Sequence, residues 1–203
     1  MATSYSKFTY DDLDILGVIV EQTHWLPKPE PVVPSDWLKL TLKKNMDLPL
    51  SSEKAKCELI IAPILTELVG NNHKRITYFS GYNFDVDKAL GLKGRCDFII
   101  SQRPRSPRIE APIFSIVEAK NDNLNIGVPQ CVAEMYAAWL FNQKKGENIK
   151  HIFGAVTFGL AWQFLKMTDK LALLDTEIYY ISDLPLVLGA LQQMIDIDHL
   201  PSQ

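Results

Sequence analysis

Asp97, Glu118 and Lys120 are the residues whose types and spacing could do chemistry together. Glu118 and Lys120 are two positions apart, and in an extended strand such residues project from one face. Asp97 lies in one predicted strand, residues 95–101, and Glu118-Ala119-Lys120 close the next, residues 112–120. Only a loop separates them, so they are expected as antiparallel neighbours, the start of one beside the end of the other. Strand register decides whether Asp97 and Glu118 share a face. Two strand carboxylates and the Ala119 carbonyl form an all-oxygen donor set, which suits the hard cations Mg²⁺ or Mn²⁺. A neighbouring ammonium could orient an activated water or offset charge developing on a phosphate. The chemistry implied is phosphodiester hydrolysis. The same three residues also fit an ordinary solvated ion pair, because so short a motif recurs by chance.

The elements that must position these residues follow from periodicity. Residues 10–22 place Leu13, Leu16 and Val20 at helical spacing after Thr9, a candidate N-cap. Four prolines between Leu26 and Pro34 make an extended connector, and Ser35 can cap a short helix with Trp37, Leu38 and Leu42 on its apolar side. A helix is predicted over residues 51–69, with a kink at Pro63. The period then becomes two: strands are expected over 75–84, 95–101 and 112–120. A helix starting at Pro129 and running to about 143 precedes strands at 151–158, 162–167 and 171–181 and a final helix at 184–195. This order predicts an α/β fold with a mixed sheet flanked by helices; an α+β domain of another topology fits it too. Residues 1–50 read as an N-terminal helical appendage with a Pro-rich connector, and 51–203 as the main domain.

Composition bounds the rest. The chain has 203 residues, 47% hydrophobic and 22% charged, which is ordinary globular usage. No stretch suits a membrane span or a secretory signal, so a cytoplasmic protein is expected. Cys57, Cys96 and Cys131 form no CxxC pair, which argues against a disulfide framework and a structural zinc site. His24, His73, His151 and His199 are too scattered for a metal cluster. A net charge of −3 speaks against a static nucleic-acid-binding module but not against an enzyme with a local basic patch. There is no phosphate-binding GxxxxGK[ST] loop, so no NTPase motor is expected.

Five segments in order carry a resemblance: residues 58–67 (ELIIAPILTE), Gly94-Arg-Cys-Asp97-Phe-Ile-Ile, Ile116-Val-Glu118-Ala-Lys120, Gln130 followed by Tyr136, and residues 154–162 (GAVTFGLAW). Together they resemble the PD-(D/E)xK nuclease superfamily, in the flavour of the nuclease domain of type I restriction motor subunits and their stand-alone bacterial relatives. The resemblance covers roughly residues 51–183. It implies a restriction-endonuclease-like sheet and a Mg²⁺-dependent nuclease acting on nucleic acid, most readily as a DNA endonuclease. Glu58 then resembles the helix glutamate that reaches the metal, Asp97 and Glu118 the strand carboxylates, Lys120 the motif lysine, and Gln130 the glutamine in the first turn of the next helix. Cys96 stands where the family has its proline.

Lys88, Lys93 and Arg95 are the expected phosphate contacts, being nearer the site than the basic stretch at 103–108, which forms the far tip of the hairpin. Tyr136 and Trp162 are expected in the core. Cutting both strands of a duplex needs two sites, so a homodimer fits. The competing reading is a non-catalytic nucleic-acid-binding or assembly module on the same fold.

Overall fold

The segments IFSIVEA and IFGAVT are almost continuously apolar, the pattern of strands covered on both faces. In the computed structural model, which describes residues 3–120 and 123–197, they are the central strands β4 (Ile113–Ala119) and β5 (Ile152–Thr157). They pair in parallel, Glu118 beside Val156. A parallel pair needs a crossover, here the 21-residue helix α5 (Leu124–Lys144).

Five further strands complete one mixed sheet: β1 (Ile19–Gln22), β2 (Thr77–Asn83), β3 (Arg95–Ser101), β6 (Ala161–Thr168) and β7 (Leu171–Tyr180), in the order β1-β7-β6-β5-β4-β3-β2. Besides β4 with β5, β1 and β7 are parallel, and the remaining pairs are antiparallel. Helix α5 and α1 (Tyr10–Leu16) supply the core on one face, including Leu13, Val128, Val132 and Met135. Helices α2 (Asp36–Asn45), α4 (Ala62–Asn71) and α6 (Leu184–Ile197) supply the other, with Leu38, Ile64, Leu68 and Leu191. The α/β class and the helix-flanked mixed sheet agree with the sequence reading. Among the described residues no helix is long and apolar enough to cross a membrane.

Three local differences have physical causes. The expected helix over 10–22 stops at Leu16, because Gly17 takes the left-handed conformation (φ 69°) and its amide closes the last turn. The chain then enters β1, so the segment set apart as an appendage adds a strand to the common sheet and buries Tyr5, Leu13, Val18, Leu26 and Leu38.

The predicted helix over 51–69 is α3 (Glu53–Lys56), a π-helical turn Cys57–Ile61, and α4. Pro63 brings no N–H to the Leu59 carbonyl one turn back. The Asn45 side chain donates to that carbonyl at 2.7 Å instead. The wider turn absorbs the missing bond, and α2 is pinned to it.

Helix α5 begins at Leu124, capped by the Asn123 side chain on the Asn125 amide at 2.9 Å, so Pro129 lies inside it. Pro129 therefore brings no N–H to the Asn125 carbonyl, one turn back near the start of the helix.

Candidate active site

Three sequence-predicted residues converge where β3 begins and β4 ends. The register sets Phe98 opposite Val117, so the next positions along, Asp97 and Glu118, face each other across the pair. Ladder pairing stops there. Asp97 Oδ2 accepts the Ala119 amide at 2.9 Å, a bond that backbone would make in a continued ladder. The alternation of β3 is also broken at this point, since Cys96 and Ile99 lie in the same core and Phe98 in the opposite one. Gly81 on β2, with φ 70°, flanks the irregularity.

Glu118 is 1% exposed and Lys120, just beyond the strand, 16%. Lys120 Nζ donates to Glu118 Oε1 and, at 3.1 Å, to Gln130 Oε1. Gln130 Nε2 donates to Glu134 Oε1 at 3.1 Å. Glu134 was not singled out in the sequence reading. Its signal was available: it lies four residues after Gln130, one turn along the same helical face. A helix that starts at Pro129 leaves Gln130 in an exposed first turn, whereas the helix starts at Leu124 and buries both residues.

One ammonium therefore serves three buried or half-buried carboxylates. Burial, followed by repulsion from Glu134 and Asp97, holds the Glu118 carboxyl well above its usual range, with Lys120 opposing. Burial also raises Asp97, against the Ala119 amide and Lys120. Burial pushes Glu134 up to about 8, with the Gln130 bond opposing. For Lys120, burial favours the neutral amine, but the charge and hydrogen bond of Glu118 outweigh it and raise its pKa. Glu118 Oε2 and Glu134 Oε2 are buried without a hydrogen-bond partner, a costly state unless something else satisfies them.

That vacancy in hydrogen bonding is the test of fit for a cation. Among the described residues, no group of three or more His, Cys, Asp or Glu side chains gathers as a metal cage. The donors present are Glu118 Oε2, the Asp97 oxygen not bound to Ala119, and the Ala119 carbonyl, which in extended backbone leaves the same edge as its N–H. Few protein oxygens with water completing the shell is how Mg²⁺ is held, so these residues fit it.

Glu58 departs from expectation. The resemblance has it reaching the metal, but its side chain is 63% exposed and pairs with Lys54 at 3.7 Å. The π-helical turn shifts the register of this segment and the outward face carries Glu58. Glu53, a turn earlier, is the acid whose charge acts on both Asp97 and Lys120. Both line a cavity of about 290 Å³ with Cys57, Ser80, Arg95 and Asp97.

Of the expected phosphate contacts, Arg95 stands on that cavity wall. Lys88 pairs with Asp85 at 3.3 Å in the β2–β3 connection, and the Lys93 carbonyl accepts the Tyr5 amide at 3.0 Å. At the far tip, Arg103 and Arg108 are held by Glu147 at 2.6 Å and Glu110 at 2.7 Å. Tyr136 and Trp162 are core residues. His24 approaches Asp175, His73 the Gly70 carbonyl and His151 the Thr168 hydroxyl; His199 lies outside the described residues.

No protein-family model matches the chain, and no curated protein sequence matches it.

Proposed function

We propose that the chain is a Mg²⁺- or Mn²⁺-dependent phosphodiesterase acting on DNA, on a restriction-endonuclease-like sheet of the PD-(D/E)xK kind. The observation that carries this reading is the meeting of Asp97 and Glu118 across β3 and β4, with Lys120 Nζ held between Glu118 and Gln130. Asp97, Glu118 and the Ala119 carbonyl would hold the cation, which supplies activation of a water and neutralisation of phosphate charge. Lys120 places a fixed positive charge beside those oxygens, where it can orient the attacking water or steady the phosphorane-like charge. Gln130 holds the ammonium in place. Arg95, on the cavity wall beside Asp97, is positioned to take a flanking phosphate. Two copies of the chain would be needed to cut both strands of a duplex.

The test is cleavage of supercoiled plasmid and of single-stranded DNA in Mg²⁺, Mn²⁺ or EDTA, with wild type beside Lys120→Ala. Cleavage is expected only with metal, and Lys120→Ala is expected to lose roughly 10²-fold or more in rate. Activity that survives EDTA, or a Lys120→Ala variant as fast as wild type, overturns the reading. Loss of every cleavage signal in wild type at all metals would hand the fold to the non-catalytic alternative.

A further inference from the structure

A glutamate in the middle of a buried helix requires a reason. Residues 127–138 of α5 are buried throughout, and Glu134 is among the fully covered ones. An apolar side chain of similar length would fill the same volume without a desolvation cost. The two polar residues in this stretch, Gln130 and Glu134, are one turn apart and bonded to each other, and Gln130 is bonded to Lys120.

The chain of bonds has a direction. Lys120 carries an ammonium, which donates and cannot accept. Gln130 offers one accepting end and one donating end. Glu134 offers an acceptor oxygen whether or not it holds a proton. With Glu134 taking the Gln130 NH₂, the amide oxygen is turned toward Lys120. With the amide reversed, its NH₂ would face the ammonium, and the bond to Lys120 would be lost. Gly127 completes the same face, at positions i, i+3 and i+7 with Gln130 and Glu134. A Cβ there would sit 2.9 Å from Lys120 Cγ and 3.5 Å from its Cε, so the helix backbone closes directly over the lysine stem.

We propose that Glu134 is a positioning residue that acts through Gln130, fixing the amide so that its oxygen clamps the Lys120 ammonium against Glu118. The clamp itself stands on these contacts; its consequence for rate rests on the nuclease reading above.

The experiment uses the full chain as Glu134→Gln, Glu134→Met, Gln130→Leu and the Met/Leu double variant, each checked by its melting curve. Lys120 acylation by a small active ester is followed at one fixed pH by mass spectrometry, normalised to the exposed Lys54. Glu134→Met and Gln130→Leu are expected to raise Lys120 labelling by the same factor, and the double variant by no more than either. Glu134→Gln keeps an acceptor oxygen and is expected to restore wild-type labelling. In the cleavage assay Glu134→Met should lower kcat by roughly 10- to 100-fold through misplacement of the lysine, with KM little changed. A folded Glu134→Met with wild-type Lys120 labelling overturns the proposal, as does a Glu134→Gln variant labelled like Glu134→Met. Should Glu134→Met fail to fold, Glu134→Ala takes its place under the same criteria. A wild type that cleaves no DNA sinks the nuclease reading alone, since the labelling still decides the clamp.

Discussion

Asp97 Oδ2 is bonded to the amide of Ala119, the residue between Glu118 and Lys120. One strand thus anchors its carboxylate on the backbone that presents the other two functional side chains. Asparagine keeps an acceptor for that amide, so Asp97→Asn is expected to fold. It removes a charge that burial already disfavours, so the metal-free variant should melt above metal-free wild type. A cation that binds only the native state stabilises by RT ln(1 + [L]/Kd), about 2.7 kcal/mol at 100 Kd. Millimolar Mn²⁺ is therefore expected to raise the wild-type melting temperature and to leave Asp97→Asn unmoved. Calorimetry that finds no Mn²⁺ bound to wild type, with an unchanged melting curve, removes the cation from the site.

Gly127 tests how closely α5 is seated. A Cβ at this position would come within 2.5 Å of Val156 Cγ1 and 2.9 Å of Lys120 Cγ. Gly127→Ala gains helix propensity, worth about 1 kcal/mol. Overpacking typically costs about 1–3 kcal/mol and outweighs it. The variant is expected to be less stable in denaturant titration and to label more readily at Lys120. A more stable Gly127→Ala would mean that the helix can shift freely away from β5.

How much of this was legible depended on how local the signal was. The bounds predicted for β3 agree with the structure, and those for β4 fall within one residue at each end, because alternation and apolar runs are set by neighbours in sequence. The opposition of Asp97 and Glu118 was not legible, since it needs the register. Glu134 was missed because a proline placed the start of α5 five residues late, hiding that Gln130 and Glu134 lie well inside a buried helix. The outward turn of Glu58 follows from a π-helical turn whose compensating partner, Asn45, is on another helix. Helical spacing in residues 10–22 concealed β1, whose four residues are too few to show a period of two.

The place of residues 1–50 gives a further prediction. Tyr5, Leu13, Val18, Leu26 and Leu38 are each at most 1% exposed. Burying such side chains contributes about 1.5–3 kcal/mol apiece. Their loss is of the same order as the ~5–15 kcal/mol net stability of a domain. Asp175 on β7 also accepts the amides of Leu26 at 2.7 Å and Trp25 at 3.2 Å, tying the connector to the sheet. A chain beginning at Ser51 is expected to lose cooperative unfolding. Asp175→Ala in the full chain should lower stability by about 3 kcal/mol or more, by orphaning buried donors. A soluble fragment from Ser51 with a sharp melting transition would restore the appendage view.

The buried carboxylates give the site a pH signature of definite sign. Glu134 has an ordinary value of 4.5 and is held at about 8 in the fold, chiefly by burial. Glu118 and Asp97 are displaced in the same direction. A raised folded-state pKa means that the native protein holds a proton the unfolded chain releases. The stability gained from that proton is complete below the unfolded value and is lost as pH rises through the folded one. Without metal, the chain should therefore become less stable between about pH 5 and 8, by at most about 1.4 kcal/mol per pH unit for each proton held only by the native state. Glu134→Gln removes one such proton, so its stability should fall less steeply over the same window. Added Mn²⁺ should flatten the wild-type profile too, because a bound cation replaces the protons as partner to Asp97 and Glu118. The measurement is the urea midpoint in EDTA and in Mn²⁺ across this range. A metal-free wild-type midpoint that climbs steadily from pH 5 to 8 would show that these carboxylates are ionised and well satisfied, and would remove the strain on which a cation site here depends.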